Sequence, residues 1–264
     1  MKYGAMNFPI RPVVQEIEAI AALGFDYFEM SMDPPEAHFT TARKARAEIL
    51  KALDDNHLGL VCHLPTFVSI ADLTESIRIA SLNEMLGSLD VAAELRAAKV
   101  VVHPGVISGL GVFVKEQAME YAMQSMDAIY DKSKELGLQL CLENMFPRYL
   151  TFVSPEDFYG VFEKYPGMMM TLDTGHANIG GDAERALKFV HFFRGRLGHV
   201  HISDNNGKRD DHLPVGEGNF DFKRFISELK KSGYDDTITL EIFTDNPADL
   251  VLSRQRVSDL LASA

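Results

Sequence analysis

Six short apolar runs in this chain end on, or carry, an imidazole or a carboxylate. His63 follows Leu60-Val61-Cys62, and His103 follows Val100-Val101-Val102. Glu143, Asp173 and His201 close three further runs, and Glu241 lies in the last. His176, Asp210 and His212 stand just beyond such ends. Taken singly, each has an ordinary reading, because a strand-end histidine commonly hydrogen-bonds a loop and a buried glutamate is commonly ion-paired. As a set they point to a cation. Carboxylates gathered without compensation raise one another's pKa values. A divalent ion removes that cost, and His with Asp/Glu is the donor set of zinc, manganese and related ions.

These residues become one site only if the elements carrying them converge. Strand-like runs fall at 2–6, 27–31, 59–63, 100–103, 139–143, 168–173, 198–203 and 237–243. Amphipathic runs with helical spacing lie between them, at 12–23, 42–56, 76–95, 116–136, 155–165, 182–193, 221–231 and 247–261. Gly24, Gly137 and Gly233 stand where helix stops are wanted, and Ser154-Pro155-Glu156-Asp157 reads as a helix start. Strands alternating with helices of this length imply parallel βαβ units. About eight such units without a linker-like boundary predict a single (β/α)8 TIM barrel over residues 1–264, with a doubly wound open sheet as the alternative. In a parallel barrel the strand carboxyl ends share one mouth, so all nine residues would face the same small space.

Composition sets the frame. The 264 residues carry a formal charge of −12, with 46% hydrophobic and 24% charged residues. That suits a soluble globular protein with a sizeable core and argues mildly against broad nucleic-acid binding. No stretch approaches the roughly 18 apolar residues that span a bilayer, so no membrane partner is expected. Cys62 and Cys141 each sit inside an apolar run, as reduced buried thiols of a cytoplasmic protein would. His199, two residues before His201, faces the same way one layer deeper and reads as a satisfied interior histidine. His38, His57 and His191 read as loop or helix-surface residues, and Lys208 and Arg209 as solvated loop charges.

Six motifs carry a family resemblance: His103-Pro104-Gly105, Leu142-Glu143-Asn144, Leu172-Asp173-Thr174-Gly175-His176, His201-Ile202-Ser203-Asp204, Asp210-Asp211-His212 and Gly216-Glu217-Gly218. The chain resembles, over essentially its whole length, the xylose-isomerase-like TIM-barrel superfamily. That superfamily includes sugar isomerases and epimerases and the endonuclease IV (AP endonuclease family 2) branch. The epimerase branch implies one metal held at Glu143, Asp173, His201 and Glu241. The endonuclease IV branch implies up to three zinc ions, adding His63, His103, His176, Asp210 and His212. Departures weigh against the second. His63 is followed by Leu64-Pro65-Thr66-Phe67, without that branch's tyrosine segment, and its Arg- and Trp-bearing loop after the second strand is replaced by 28–35, Phe28-Glu29-Met30-Ser31-Met32-Asp33-Pro34-Pro35.

The resemblance therefore implies a metal-dependent sugar or sugar-phosphate isomerase/epimerase, with one to three zinc or manganese ions. Of Glu143 and Glu241, one would be its general base and the other its general acid, and a small carbohydrate would be its partner. The alternative is an endonuclease IV-like phosphodiesterase, under which nucleic acid becomes the partner.

Overall fold

The computed structural model describes residues 1–181 and 184–264. Its eight parallel strands close in sequence order, β1 pairing with both β2 and β8. They are β1 Lys2–Met6, β2 Tyr27–Ser31, β3 Gly59–His63, β4 Lys99–Val102, β5 Gln139–Glu143, β6 Met169–Asp173, β7 Leu197–Ile202 and β8 Thr237–Leu240. Closure excludes the open sheet.

Helices α1 Val13–Ala22, α2 Phe39–Lys44, α3 Arg46–Asp55, α4 Glu75–Glu94, α5 Lys115–Glu135, α6 Tyr159–Lys164, α7 Thr174–Asn178, α8 Arg185–Phe193, α9 Phe222–Lys231 and α10 Ala248–Ser263 surround the barrel. α9 shows how the sequence makes them. Phe222, Phe225, Ile226 and Leu229 are buried at helical spacing, Asp221 caps by accepting from the Arg224 amide at 3.0 Å, and Gly233 follows with φ +82°. Ile17, Ile49, Leu89, Ile129, Phe189 and Ile226 are fully buried between helices and sheet. Each such side chain contributes roughly 1.5–3 kcal/mol of transfer free energy.

Several boundaries differ from the sequence expectation. The run at 42–56 is two helices, because His38 caps α2, which starts at Phe39, three residues ahead of the apolar pattern, and Ala45 leaves helical geometry at ψ 10°. The run at 155–165 starts as a 3-10 turn, Pro155–Phe158, closed by a Ser154/Asp157 capping box. α7 was not anticipated; the Asp173 carboxylate, accepting from the His176 amide at 2.6 Å, starts it. Of the helix expected over 182–193, Asp182 and Ala183 lie outside the described residues, and α8 runs from Arg185. β4 ends at Val102, one residue before His103, since Pro104 cannot extend a ladder. β8 ends at Leu240, although the Glu241 amide still donates to Ile202 O at 3.1 Å.

Among the described residues, no helix is long and apolar enough to cross a membrane. Cys62 and Cys141 are buried free thiols, as their apolar settings implied.

Candidate metal centre

All nine residues singled out from the sequence meet at the mouth of the barrel. Glu143 is the centre. Its Oε2 lies 3.2 Å from His63 Nε2 and 3.2 Å from His103 Nε2. Its Oε1 lies 3.2 Å from His176 Nδ1 and 3.5 Å from His201 Nδ1. His201 Nδ1 is also 3.7 Å from Asp173 Oδ2 and 3.0 Å from Glu241 Oε2. Beyond them Asp210 Oδ2 sits between His176 Nε2 at 3.1 Å and His212 Nε2 at 3.2 Å. In the groups Glu143-Asp173-His201-Glu241 and His63-His103-Glu143, the candidate ligand atoms all lie within 4.8 Å of one another.

Outer hydrogen bonds orient the imidazoles, as candidate ligands require. His63 donates Nδ1–H to Leu64 O at 2.8 Å, His176 to Asn144 O at 2.9 Å and His212 to Glu241 O at 3.0 Å. His201 turns its Nε2 to the Glu29 carboxylate at 3.0 Å. In His63, His201 and His212 one nitrogen is engaged outward and the other faces carboxylates, the arrangement that fixes a metal-binding tautomer; His176 faces carboxylates with both nitrogens, Glu143 beside its Nδ1 and Asp210 at its Nε2. Meanwhile Glu143 Oε1, Asp173 Oδ2, His201 Nδ1, Asp210 Oδ1 and His103 Nδ1 are buried without a hydrogen bond. Buried orphans of this kind are rare and ask for a partner. The donor set and these atoms fit a divalent cation.

The electrostatics agree. Burial pushes the Glu143 carboxyl up, but the His201 and His103 charges and the His103 and His176 hydrogen bonds outweigh it and hold it well below the usual range. Burial opposes charging of His63 and His212; the Glu143 hydrogen bond and charge lift the first to about 9. The Glu241 charge and the Asp210 hydrogen bond lift the second to about 9. His176 and His201 are likewise raised well above the ordinary value against their burial. Unlike Glu143, Asp173 is raised, to about 7, by burial and the neighbouring Glu143, Glu241 and Asp210 charges. Among the histidines His103 is the exception, lowered by its burial; the other four, protonated, stand where cations would.

The loop bearing Asp210 and His212 is organised by a residue whose role the sequence left unread. Asp204 is fully buried. Its Oδ2 accepts from the Gly216 and Gly218 amides at 2.9 Å each, and its Oδ1 from Asn205 at 2.9 Å and Phe220 at 3.2 Å. Asp204 and Leu213 also exchange backbone bonds at 2.9 and 2.8 Å, closing the loop at its base. His212 is thereby held at φ +47°, a conformation that costs a non-glycine residue energy and is tolerated where neighbours over-determine it. The Gly-x-Gly spacing is explained by this clamp. A Cβ on Gly218 would lie 2.3 Å from both Asn205 O and Asp204 Oδ1. Gly218→Ala is therefore expected to destabilise by about 2–3 kcal/mol and lower the melting temperature by several degrees, read by thermal unfolding.

The other histidines fall as expected. His199 is fully buried one layer below His201, bonded to Thr237 Oγ1 at 2.7 Å and Glu29 Oε2 at 2.9 Å. His57 and His191 are exposed, as are Lys208 and Arg209. His38 does more than the expected loop residue, capping α2 and reaching Glu84 at 2.7 Å. Two residues near the site were missed. Tyr149 packs edge-on against His103, ring centroids 6.0 Å apart, from a loop that gives no strand-end signal. The segment after Tyr27 looks like the isomerase-type strand ending in Glu, but Glu29 lies inside the strand Tyr27–Ser31 and not at its end.

A family model described as xylose isomerase-like TIM barrel matches residues 17–259. The crystal structure of a D-tagatose 3-epimerase-like protein is 28% identical, covers 100% of this chain and 98% of that one, and has a TM-score of 0.89. An uncharacterized protein of Methanocaldococcus jannaschii is 28% identical over 99% of this chain and 89% of its own length. A probable endonuclease 4 of Mycobacterium leprae is 25% identical over 80% of this chain and 82% of its own.

Proposed function

The chain belongs to the xylose isomerase-like TIM-barrel family, and we propose that it is a divalent-metal-dependent isomerase/epimerase of a sugar or sugar phosphate. One observation carries the reading: Glu143 and Glu241, from strands three places apart round the barrel, converge on the single nitrogen His201 Nδ1 at 3.5 and 3.0 Å. Two carboxylates flanking one position suit proton exchange beside a carbonyl, one removing the proton and the other returning it. Glu143, Asp173, His201 and Glu241 would hold the ion, zinc or manganese by their donor types. When bound, such an ion stabilises negative charge developing on the substrate's oxygens. Glu143, held ionised by His201 and His103, is equipped as a base. The Glu241 side chain retains 13% exposure and is the more open of the two to the mouth.

The rim of the mouth favours a small carbohydrate over a nucleic acid. The loops after β3 and β4 present Phe67 and Phe113, 88% and 84% exposed. Arg11, after β1, is shared between Asp245 at 3.4 Å and Glu16 at 3.7 Å. Arg11 is thus already paired, while Lys208 and Arg209, exposed on the loop that bears Asp210 and His212, could serve the phosphate of a sugar phosphate. The whole-length likeness to a D-tagatose 3-epimerase-like protein supports the same choice.

The test is incubation of metal-loaded protein in deuterium oxide with a panel of ketoses, aldoses and their phosphates. Metal-dependent uptake of deuterium beside the carbonyl of one panel member is expected. Exchange with none of them removes the reading.

A second reading rests on the remaining two groups. His63 and His103 on one side of Glu143, and His176, Asp210 and His212 on the other, exceed what one ion needs. Occupied together they would suit a phosphodiester hydrolase, in which clustered ions activate water and stabilise the leaving oxygen. Elemental analysis of protein purified without chelator separates the two, roughly one ion per chain against roughly three zinc ions. Incision of an abasic-site duplex would then favour the hydrolase.

A further inference from the structure

Beneath the carboxylate cluster the barrel interior carries a second row of polar groups, centred on Glu29 of β2. Glu29 is fully buried, and its two oxygens serve two imidazoles, Oε1 to His201 Nε2 at 3.0 Å and Oε2 to His199 Nε2 at 2.9 Å. Thr239 Oγ1 also donates to Oε2. His199 Nδ1 lies 2.7 Å from Thr237 Oγ1, which accepts from Lys99 Nζ at 3.0 Å. Lys99 pairs in turn with Asp236 Oδ2 at 2.6 Å, at the far end of the barrel. An unbroken line of contacts therefore supports Glu29 from below, and a carboxylate buried this deeply persists only with such support.

His201 differs from its fellow imidazoles in what holds its outer nitrogen. His63, His176 and His212 donate theirs to the backbone carbonyls of Leu64, Asn144 and Glu241. His201 has no backbone carbonyl there: its outer nitrogen is bonded to the Glu29 carboxylate, whereas His176 Nδ1 reaches Glu143 Oε1, at 3.2 Å, only beside its bond to Asn144 O. A carboxylate accepting Nε2–H selects the tautomer with Nδ1 bare and increases its basicity. That Nδ1 is the atom on which Glu143, Asp173 and Glu241 converge.

We propose that Glu29 is a positioning residue for the metal site, acting through His201 by fixing its tautomer and strengthening Nδ1 as a donor. The inference rests on the metal-binding reading above and adds a residue to it. Lys99, Thr237 and His199 keep Glu29 in place and do not set the affinity themselves.

The experiment measures zinc affinity by competition with a chromophoric chelator, beside the thermal unfolding of each metal-free chain. Glu29→Gln keeps the volume and removes the charge, and is expected to weaken zinc binding about tenfold. Glu29→Met also removes the acceptor, and about a hundredfold loss is expected. Lys99→Met, at the far end of the line, is expected to lower the melting temperature and leave zinc affinity unchanged. Long-range nitrogen–proton NMR of the zinc-loaded wild type should show His201 protonated at Nε2. Wild-type affinity in folded Glu29→Gln overturns the inference alone, as does an equal loss of affinity in Lys99→Met. A wild-type chain that takes up no zinc, manganese or related ion overturns the metal-binding reading and this inference with it.

Discussion

Replacing Glu143 with Gln is expected to slow metal-dependent solvent exchange about 10³-fold, within the range general acid–base groups contribute. The reason lies in how much of the site passes through this one carboxylate. His63 and His103 approach one oxygen, His176 and His201 the other. Gln preserves volume, so barrel packing is retained, but an amide is a weaker ligand and no base. The change also leaves buried imidazoles short of a counter-charge. Breaking a buried pair from one side costs about 3–5 kcal/mol, less whatever the histidines recover by losing protons. A fall of roughly 5–10 °C in the metal-free melting temperature follows, so rates are compared at saturating ion. Glu241→Gln supplies the contrast. Its side chain keeps some access to water and touches fewer imidazoles, so it should depress exchange strongly with a smaller loss of stability. Exchange in Glu143→Gln above a tenth of the wild-type rate would remove Glu143 from the catalytic role.

What the chain disclosed in advance follows from what each residue touches. His63, Glu143, Asp173 and His201 each terminate a run of apolar side chains, so their polarity has no local explanation and barrel geometry supplies the rest. The exact strand ends were less legible. At the mouth the ladder gives way to turns, as at His103-Pro104, and pairing is decided by neighbours far away in sequence. The strand bearing Glu29 resembles the isomerase type, but the work of Glu29 was not legible for a related reason: its partner His201 lies 172 residues away, and nothing around Phe28-Glu29-Met30 signals that meeting. Asp204 stood in plain view beside a recognised histidine. Its work, gathering the amides of Gly216, Gly218 and Phe220, consists of backbone contacts that residue types do not announce. Side chains with chemistry to offer were visible, and the groups that hold them in place were largely not.

The metal-stripped chain is expected to lose stability as pH rises from about 6.5 to 9, and metal is expected to abolish that loss. His63 and His212 have folded values of about 9, above the ordinary 6.5, because nearby carboxylates outweigh burial. A raised value means the folded state binds the proton more tightly. The stabilisation is therefore complete below the unfolded value and disappears as pH climbs through the folded one. Asp173, raised to about 7 by burial and neighbouring carboxylates, adds a loss of the same sign from lower pH upward. Glu143, Glu241 and Asp210 are all lowered, so their contribution fades on the acid side. Metal-free stability should consequently peak in mildly acidic solution and fall by roughly 5 °C or more towards pH 9. With zinc present that loss is removed, because the ion replaces the protons. Affinity should rise across the same window, and binding near pH 7 should release protons from His63, His176, His201 and His212, read by calorimetry in buffers of different ionisation enthalpy. A metal-free melting temperature that stays flat or rises between pH 6.5 and 9 would show that these histidines are not the counter-ions of the empty cluster.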